Sequence, residues 1–254
     1  MHIVTRGLVL REVAYKEADK ILTVLTEEGG KRTVKARGCR RKGSRLAAAA
    51  QLLVWSEMTL FAYRDHLNMN EATPLEQFWG VRSDMDKLAL ASYFAETMEA
   101  VALEGRPDPG LLSLILNSLY ALDKLQKPLP LVKAAYELRL LCLAGYEPML
   151  DACAVCGAAQ PEEPRLSLTD GVLHCRRCRE GLGGGGISMP LTPSALAAMR
   201  HVAGGDPKRL FSFVIDAPGL ARMGEACEVF LLTQLERGFR TLDFYKQLNL
   251  MPMG

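Results

Sequence analysis

Two pairs of closely spaced cysteines constrain the fold of this chain more than any other feature of its sequence. The first pair is Cys153-Ala-Val-Cys156 and the second is Cys175-Arg-Arg-Cys178, with eighteen residues between the pairs. Each Cys-x2-Cys turn places two thiolates side by side, and two such turns complete a tetrahedral site for Zn²⁺. Between the pairs, Leu166–Leu168 and Val172–His174 flank the turn residues Thr169-Asp170-Gly171 and predict a hairpin. This part of the chain is therefore predicted to be a zinc ribbon.

The predicted metal site is structural. Its four ligands, Cys153, Cys156, Cys175 and Cys178, fill the coordination sphere of one Zn²⁺, whereas a catalytic zinc needs three protein ligands and an open position. His174 adjoins Cys175 and is an alternative ligand. A redox-active dithiol is a further alternative, which the presence of two matched pairs disfavours.

The composition predicts a globular cytoplasmic protein. Of the 254 residues, 49% are hydrophobic and 24% are charged, and no apolar run reaches the roughly 18–20 residues that a membrane span requires. The N-terminal residues lack the apolar core of a secretory signal. Seven cysteines, four of them in a metal-like pattern, differ from a secreted disulfide framework.

Residues 1–74 show the period of two that is typical of β-strands. Paired glycines at Gly29-Gly30 predict a tight hairpin turn between the second strand and the third. Five short strands in about seventy residues fit a small antiparallel barrel of the OB type. The predicted strands are Ile3–Leu10, Ile21–Thr26, Arg32–Gly38, Gln51–Tyr63 and Leu67–Glu71.

The same region carries a dense cluster of positive charge. The formal net charge of the whole chain is +2, yet residues 2–45 contain twelve Lys or Arg and five Asp or Glu. Such a surface attracts polyanions, of which nucleic-acid backbones are the commonest. A solvated, mobile basic loop is the alternative interpretation. The candidate DNA-binding residues are Lys31, Arg32, Lys35, Arg37, Arg40, Arg41, Lys42 and Arg45.

From about residue 75 the apolar spacing changes to that of helices. Leu75–Phe78 and Asp84–Leu103 begin this region, with Ser83-Asp84 as a predicted N-cap. We predict one helical domain over 75–150 and 188–254, into which the ribbon at 151–187 is inserted. The fold class is thus α+β: an N-terminal OB-type antiparallel β-barrel, then a mainly α-helical domain with an inserted four-cysteine zinc ribbon. The other predicted helices span 111–125, 131–144, 192–201 and 222–247.

No recognised catalytic motif is present, and the chain is not predicted to be an enzyme. It lacks a Walker-type phosphate loop, a Gly-x-Gly-x2-Gly turn and a His-Glu-x2-His helix. Gly183–Gly186 lacks the Lys-Ser/Thr of a phosphate loop and predicts a flexible linker. Cys39 lies among arginines that would lower its pKa, but an incidental exposed cysteine is the simpler interpretation.

The order of basic barrel, helical domain and cysteine ribbon resembles the bacterial DNA repair protein RecO family. The resemblance extends over nearly the whole chain and includes Gly29-Gly30-Lys31, the basic segment 36–45 and Ala144-Gly145-Tyr146-Glu147-Pro148. The family commonly shows Gly-Ala-Arg-Arg-Pro-Lys-Ser-Arg, where this chain has Gly38-Cys39-Arg40-Arg41-Lys42-Gly43-Ser44-Arg45.

The resemblance implies a recombination mediator in bacterial DNA repair. Such proteins bind single- and double-stranded DNA and anneal complementary strands. With a RecR-like partner, and in many bacteria a RecF-like protein, they load RecA onto DNA coated by single-strand-binding protein. It also implies a nucleoid-associated location, DNA contacts by the cations of the barrel, and a helical surface for the C-terminal tail of single-strand-binding protein. Lys133 and Arg139 are candidates for that surface.

Two other function classes remain open on the sequence. One is a zinc-ribbon adaptor that binds only proteins, with its basic loop serving an acidic partner. The other is a nuclease or zinc hydrolase, which the lack of a carboxylate cluster in the basic region disfavours.

Overall fold

The computed structural model describes residues 2–63, 66–181 and 186–250, and its first element is a closed five-stranded barrel. The strands are β1 His2–Tyr15, β2 Asp19–Thr26, β3 Gly30–Ala36, β4 Trp55–Tyr63 and β5 His66–Glu76. They follow the order β1-β2-β3-β5-β4 around the barrel. Neighbouring strands are antiparallel except for β3 and β5, which pair in parallel. The predicted OB-type barrel is confirmed.

The turn between β2 and β3 requires glycine, as the sequence predicted. Gly30 has a φ of +63°, and a Cβ atom there would lie 2.1 Å from the backbone oxygen of Arg106. The Thr26 hydroxyl donates to the Gly30 carbonyl at 2.9 Å and accepts from the Gly29 N–H at 3.1 Å. Both the dihedral angle and the close approach therefore exclude larger residues at position 30.

The basic connection between β3 and β4 packs against the barrel. Cys39, Leu46 and Ala50 belong to the apolar core formed by the strands. The predicted start of β4 at Gln51 is wrong, because Leu53 adopts a φ of +61° and the strand begins at Trp55. The prediction that Cys39 is exposed is also wrong: it is 3% exposed, and burial raises the pKa of its thiol.

The helices are α1 Trp79–Arg82, α2 Met85–Val101, α3 Pro109–Lys124, α4 Leu129–Leu143, α5 Arg176–Gly181, α6 Pro193–Gly204, α7 Ala217–Gln234 and α8 Arg240–Leu250. Four of the helices agree with the predicted pattern, α1 and α5 were not predicted, and the predicted helix 222–247 is divided between α7, which begins at residue 217, and α8. Leu75 and Glu76 end β5 and do not begin a helix, and the segment 222–247 forms two helices, because Glu236 has a φ of +50°. Asp84 caps α2 as predicted, and its carboxylate accepts from the Lys87 N–H at 3.0 Å.

Two compact units contain these elements. Met1–Lys124 and Phe239–Gly254 form the first, in which α2 packs against α8 and the Tyr93 and Phe239 rings lie 5.9 Å apart. Leu125–Gly238 forms the second, in which α4 packs against α6 and α7. The sequence predicted separate domains with boundaries at residues 74, 150 and 187. Those boundaries stay a prediction.

The second unit also contains a small antiparallel sheet. β6 Arg165–Ser167 and β7 Leu173–His174 form the predicted hairpin. β8 Ser188–Pro190 adds a third strand that the sequence pattern did not predict, and the strand order is β7-β6-β8. The predicted glycine linker lies outside the described residues at 183–185. No helix within the described ranges is both long enough and apolar enough to span a membrane.

Candidate metal centre and nucleic-acid interface

The four predicted metal ligands lie together in the second unit. The Sγ atoms of Cys153, Cys156, Cys175 and Cys178 all lie within 4.8 Å of one another. Four thiolates that hold one Zn²⁺ at about 2.3 Å in a tetrahedron are about 3.8 Å apart. The Sγ atoms of Cys156 and Cys175 are separated by 3.9 Å, which fits that arrangement. The donor set and its spacing therefore suit a four-coordinate metal ion with no open position.

Backbone hydrogen bonds build the first cysteine turn. The Gly157 N–H donates to the Cys153 carbonyl at 2.9 Å, and Gly157 has a φ of +72°. The Ala154 N–H donates to the Leu173 carbonyl at 2.8 Å, which connects this turn to β7. The second pair begins where β7 ends, so the hairpin brings the two pairs together.

The electrostatics of the cluster favour thiolate at one ligand. Burial opposes ionisation of Cys153, but N–H groups of Cys156, Cys175 and Val155 stabilise its thiolate and lower its pKa to about 6. The pKa of Cys178 is raised to about 12, first by its hydrogen bond with Cys175 and then by burial and the other cysteines. Adjacent thiolates repel one another, and a divalent cation at their centre would remove that repulsion.

Arg176, beside the cluster, forms ion pairs on the surface of the second unit. Arg176 contacts Glu163 at 3.0 Å and Glu180 at 3.1 Å. All three side chains are more than half exposed, so these pairs contribute little to stability. The positive charge of Arg176 is thus matched by carboxylates.

The eight candidate DNA-binding residues divide into two groups by exposure. The side chains at the end of β3 and in the β3–β4 connection are exposed, and those within β3 are half-buried. The exposed group is Arg37, Arg40, Arg41, Lys42 and Arg45, and the half-buried group is Lys31, Arg32 and Lys35. The prediction that all eight contact DNA stays a prediction.

Two of the half-buried cations have partners within the first unit. Lys31 donates its ammonium to the Glu99 carbonyl oxygen at 2.7 Å. Lys35 forms an ion pair with Asp19 at 3.2 Å, and its ammonium lies 4.7 Å from the centre of the Tyr15 ring. These contacts hold both side chains in place on the barrel surface.

A cleft lies beside the cations and was not predicted as a site from the sequence. It has a volume of about 390 Å³. Asn68, which lines the cleft, interrupts the apolar residues Leu67 and Met69 on β5. The local sequence His66-Leu67-Asn68-Met69-Asn70 alternates polar and apolar residues as any half-buried strand does, so it carried no signal for the cleft. The lining residues are Arg37, Leu46, Phe61, Asn68, Met69 and Asn70.

The barrel aromatics differ in exposure. Tyr15 is 42% exposed, whereas Trp55 and Phe61 are half-buried. The side chain of Tyr63 lies outside the described part of the chain. Tyr15 and Phe61 are therefore the described aromatics that combine accessibility with a position beside the cations.

The two helical candidates for a partner tail are wrong. Lys133 is 8% exposed and its ammonium lies 2.8 Å from both Glu137 and Glu228. Arg139 donates to the carbonyl oxygens of Val202 and Ala203. Both cations have partners within the second unit, so neither presents an unoccupied charge to a peptide.

Comparison with known proteins identifies relatives over nearly the entire chain. A family model described as "Recombination protein O N terminal" matches residues 1–78, and one described as "Recombination protein O C terminal" matches residues 82–243. DNA repair protein RecO of Acetivibrio thermocellus is 32% identical over 249 residues, which cover 98% of each chain. DNA repair protein RecO of Rubrobacter xylanophilus is 35% identical over 202 residues, which cover 78% of this chain and 79% of the relative. Both the barrel and the cysteine-containing region thus lie within the matched residues.

Proposed function

This chain belongs to the RecO family of DNA repair proteins, and on that premise we propose that it is a recombination mediator. It binds single- and double-stranded DNA through the barrel, anneals complementary strands and catalyses no bond cleavage. The observation that carries this proposal is the row of exposed cations that follows β3, from Arg37 to Arg45.

The physical basis is neutralisation of phosphate charge. Five exposed cations within nine residues release counterions from a bound strand, so that affinity falls steeply with salt and depends little on base sequence. Two strands bound on one cationic surface repel each other less than two free strands. That reduction is sufficient to accelerate annealing.

The proposed partners follow from family membership. They are a RecR-like protein, the C-terminal tail of single-strand-binding protein and, in some settings, a RecF-like protein, and together they promote loading of RecA. Because Lys133 and Arg139 are occupied within the protein, the tail must use other residues. The proposed location is the cytoplasm, in association with the nucleoid.

The proposed metal is one structural Zn²⁺ held by the four cysteines. Its chemistry there is to join the two cysteine turns and neutralise their thiolates. The chain's own contribution is the set of N–H donors around Cys153, which keeps one ligand ionised near neutral pH.

The test is annealing of two complementary oligonucleotides, bare or coated with the cognate single-strand-binding protein, at low and moderate salt. We expect acceleration on both substrates and a loss of acceleration as salt increases. A folded, zinc-loaded protein that binds neither strand and accelerates neither reaction would instead support an adaptor that binds only proteins.

A further inference from the structure

The cleft on the barrel has the size and lining of a small-ligand site. It lies where the end of β3, the β3–β4 connection, β4 and β5 meet, and its volume of about 390 Å³ falls within the roughly 300–1,000 Å³ of such sites. Phe61 contributes an aromatic ring, Leu46 and Met69 contribute apolar surface, and Arg37 contributes an exposed positive charge. One cleft therefore offers a stacking surface, a polar group and a cation.

The polar group of the cleft is Asn68, whose side-chain oxygen lacks a hydrogen-bond donor among the described residues. It is only 8% exposed, and its Oδ1 atom accepts no hydrogen bond from any described residue. Buried acceptors in proteins are paired in the great majority of cases. Asn68 lines the cleft but its Oδ1 atom is enclosed by the protein, so a molecule bound in the cleft supplies the missing donor when the amide turns toward it.

The strand register places Asn68 between an aromatic residue and a cation. Asn68 is opposite Phe61 in the β4–β5 pair and opposite Lys35 in the β3–β5 pair. The Phe61 ring also contacts His2, with ring centres 5.1 Å apart. A flat ring, an amide and a positive charge thus follow one another across three neighbouring strands.

We propose that this cleft binds one unstacked nucleobase of single-stranded DNA. The Phe61 ring packs against the face of the base, the Asn68 amide forms hydrogen bonds with its edge, and Arg37 neutralises a neighbouring phosphate. An amide offers a donor and an acceptor side by side, which every base can match on its Watson–Crick edge, so the site is not specific for one base. This inference rests on the proposed function, since it requires the barrel to bind DNA.

The site distinguishes single strands from duplexes. In a duplex the base faces are stacked and their Watson–Crick edges are paired, so that neither Phe61 nor Asn68 can reach them. Duplex binding then depends on the phosphate contacts of the cations alone. Base contacts in the cleft therefore add affinity for single strands and not for duplexes.

The test compares a thymidine oligonucleotide with a strand of equal length built from abasic deoxyribose phosphates, which has the same charge and no bases. We expect the full-length protein to bind the abasic strand on the order of tenfold more weakly. In Asn68→Leu and in Phe61→Leu, the ratio of the affinity for the thymidine strand to the affinity for the abasic strand should fall to about threefold or less. All three proteins bind duplex DNA equally.

Asn117→Leu is the matched control, because it makes the same change at a partly buried asparagine on α3 whose amide contacts Ser113 at 3.2 Å. This variant keeps the tenfold ratio. Asn68→Leu should also melt at the same temperature as the wild type or higher, since it removes an unpartnered acceptor.

A ratio near one in the wild type, or an unchanged ratio in both Asn68→Leu and Phe61→Leu, overturns the base site. If duplex binding and its salt dependence persist in that case, the proposed function stands without it. Absence of binding to any strand overturns the proposed function itself. Should one of the two variants fail to fold, the other decides the question.

Discussion

The ammonium of Lys35 lies 3.2 Å from Oδ2 of Asp19, so one of the cations proposed to bind DNA is already paired with a carboxylate. Oδ1 of Asp19 accepts the Gly38 N–H at 2.8 Å. A single aspartate therefore orients Lys35 on the barrel and fixes the start of the basic connection. A DNA phosphate that approaches Lys35 competes with Asp19.

Replacing Asp19 should strengthen DNA binding. Asp19→Asn keeps an oxygen for the Gly38 N–H and removes the negative charge that competes with phosphate, so affinity should increase by roughly threefold at low salt. Fluorescence anisotropy with a labelled oligonucleotide measures the change. Glu57→Gln makes the same charge change at an exposed position elsewhere on the barrel and is the control. An equal increase in both variants would contradict a specific role for the Asp19–Lys35 pair.

The same aspartate should contribute a pH-dependent part of the stability. The Gly38 N–H lowers the pKa of Asp19 below its usual 3.8, and Lys35 adds to this effect while burial opposes it. Because the folded-state pKa is the lower one, the contribution is complete above pH 3.8 and is lost as the pH falls through the lowered pKa. The melting temperature of the wild type should exceed that of Asp19→Asn at about pH 6, and the difference should diminish at about pH 3. A difference that stays constant with pH would exclude this linkage.

Reversing the charge of two barrel cations should weaken binding to DNA of every base sequence. Lys35→Glu/Arg37→Glu is expected to reduce the slope of log affinity against log salt concentration by about two, because two phosphate contacts are lost. Unrelated oligonucleotides should be affected to the same degree. Lys208→Glu/Arg222→Glu changes the net charge equally in the second unit and is the control. If the salt slope of Lys35→Glu/Arg37→Glu equals that of the wild type, Lys35 and Arg37 do not contact DNA.

Removing one metal ligand should abolish zinc binding and leave the barrel intact. Cys178→Ser is expected to reduce the zinc content from about one equivalent to near zero and to lower the melting temperature. Atomic absorption and a thermal melt measure the two effects. Cys142→Ser lies outside the cluster and should retain the metal. Salt-dependent duplex binding should survive in Cys178→Ser; if it disappears although the barrel remains folded, the ribbon belongs to the DNA surface.

The buried ion triad of Lys133, Glu137 and Glu228 should be sensitive to loss of its cation. Burial opposes protonation of Lys133, but the two carboxylates raise its pKa overall. Lys133→Met would remove the cation that lies 2.8 Å from both carboxylates and should lower the free energy of unfolding by about 3–5 kcal/mol. Arg222→Ala breaks an exposed pair with Glu225 and should cost less than about 1 kcal/mol. Urea unfolding distinguishes these outcomes, and equal effects would contradict the role of burial.

Local chemistry explains why parts of the fold followed from the sequence. The Gly29-Gly30 turn, the Asp84 cap and the Cys-x2-Cys turns each depend on residues within a few positions of one another. The sequence-based predictions were wrong where residues distant in the chain determine the end of a strand or the burial of a side chain. The end of β5 depends on its pairing with β4, and the burial of Cys39 depends on the barrel core, neither of which a local pattern contains.

The sequence by itself determined the chemical inventory: four thiolates with the spacing of a metal site, a cluster of cations, and the alternation that is typical of β-strands. Only the tertiary structure decided which charges remain available. It pairs Lys35 with Asp19, encloses Lys133 between two carboxylates, and places Asn68 opposite Phe61 beside a cleft. The physical reason is that spacing along the chain sets the period of a strand or the geometry of a turn, whereas burial, ion pairing and cleft formation depend on residues brought together from distant positions.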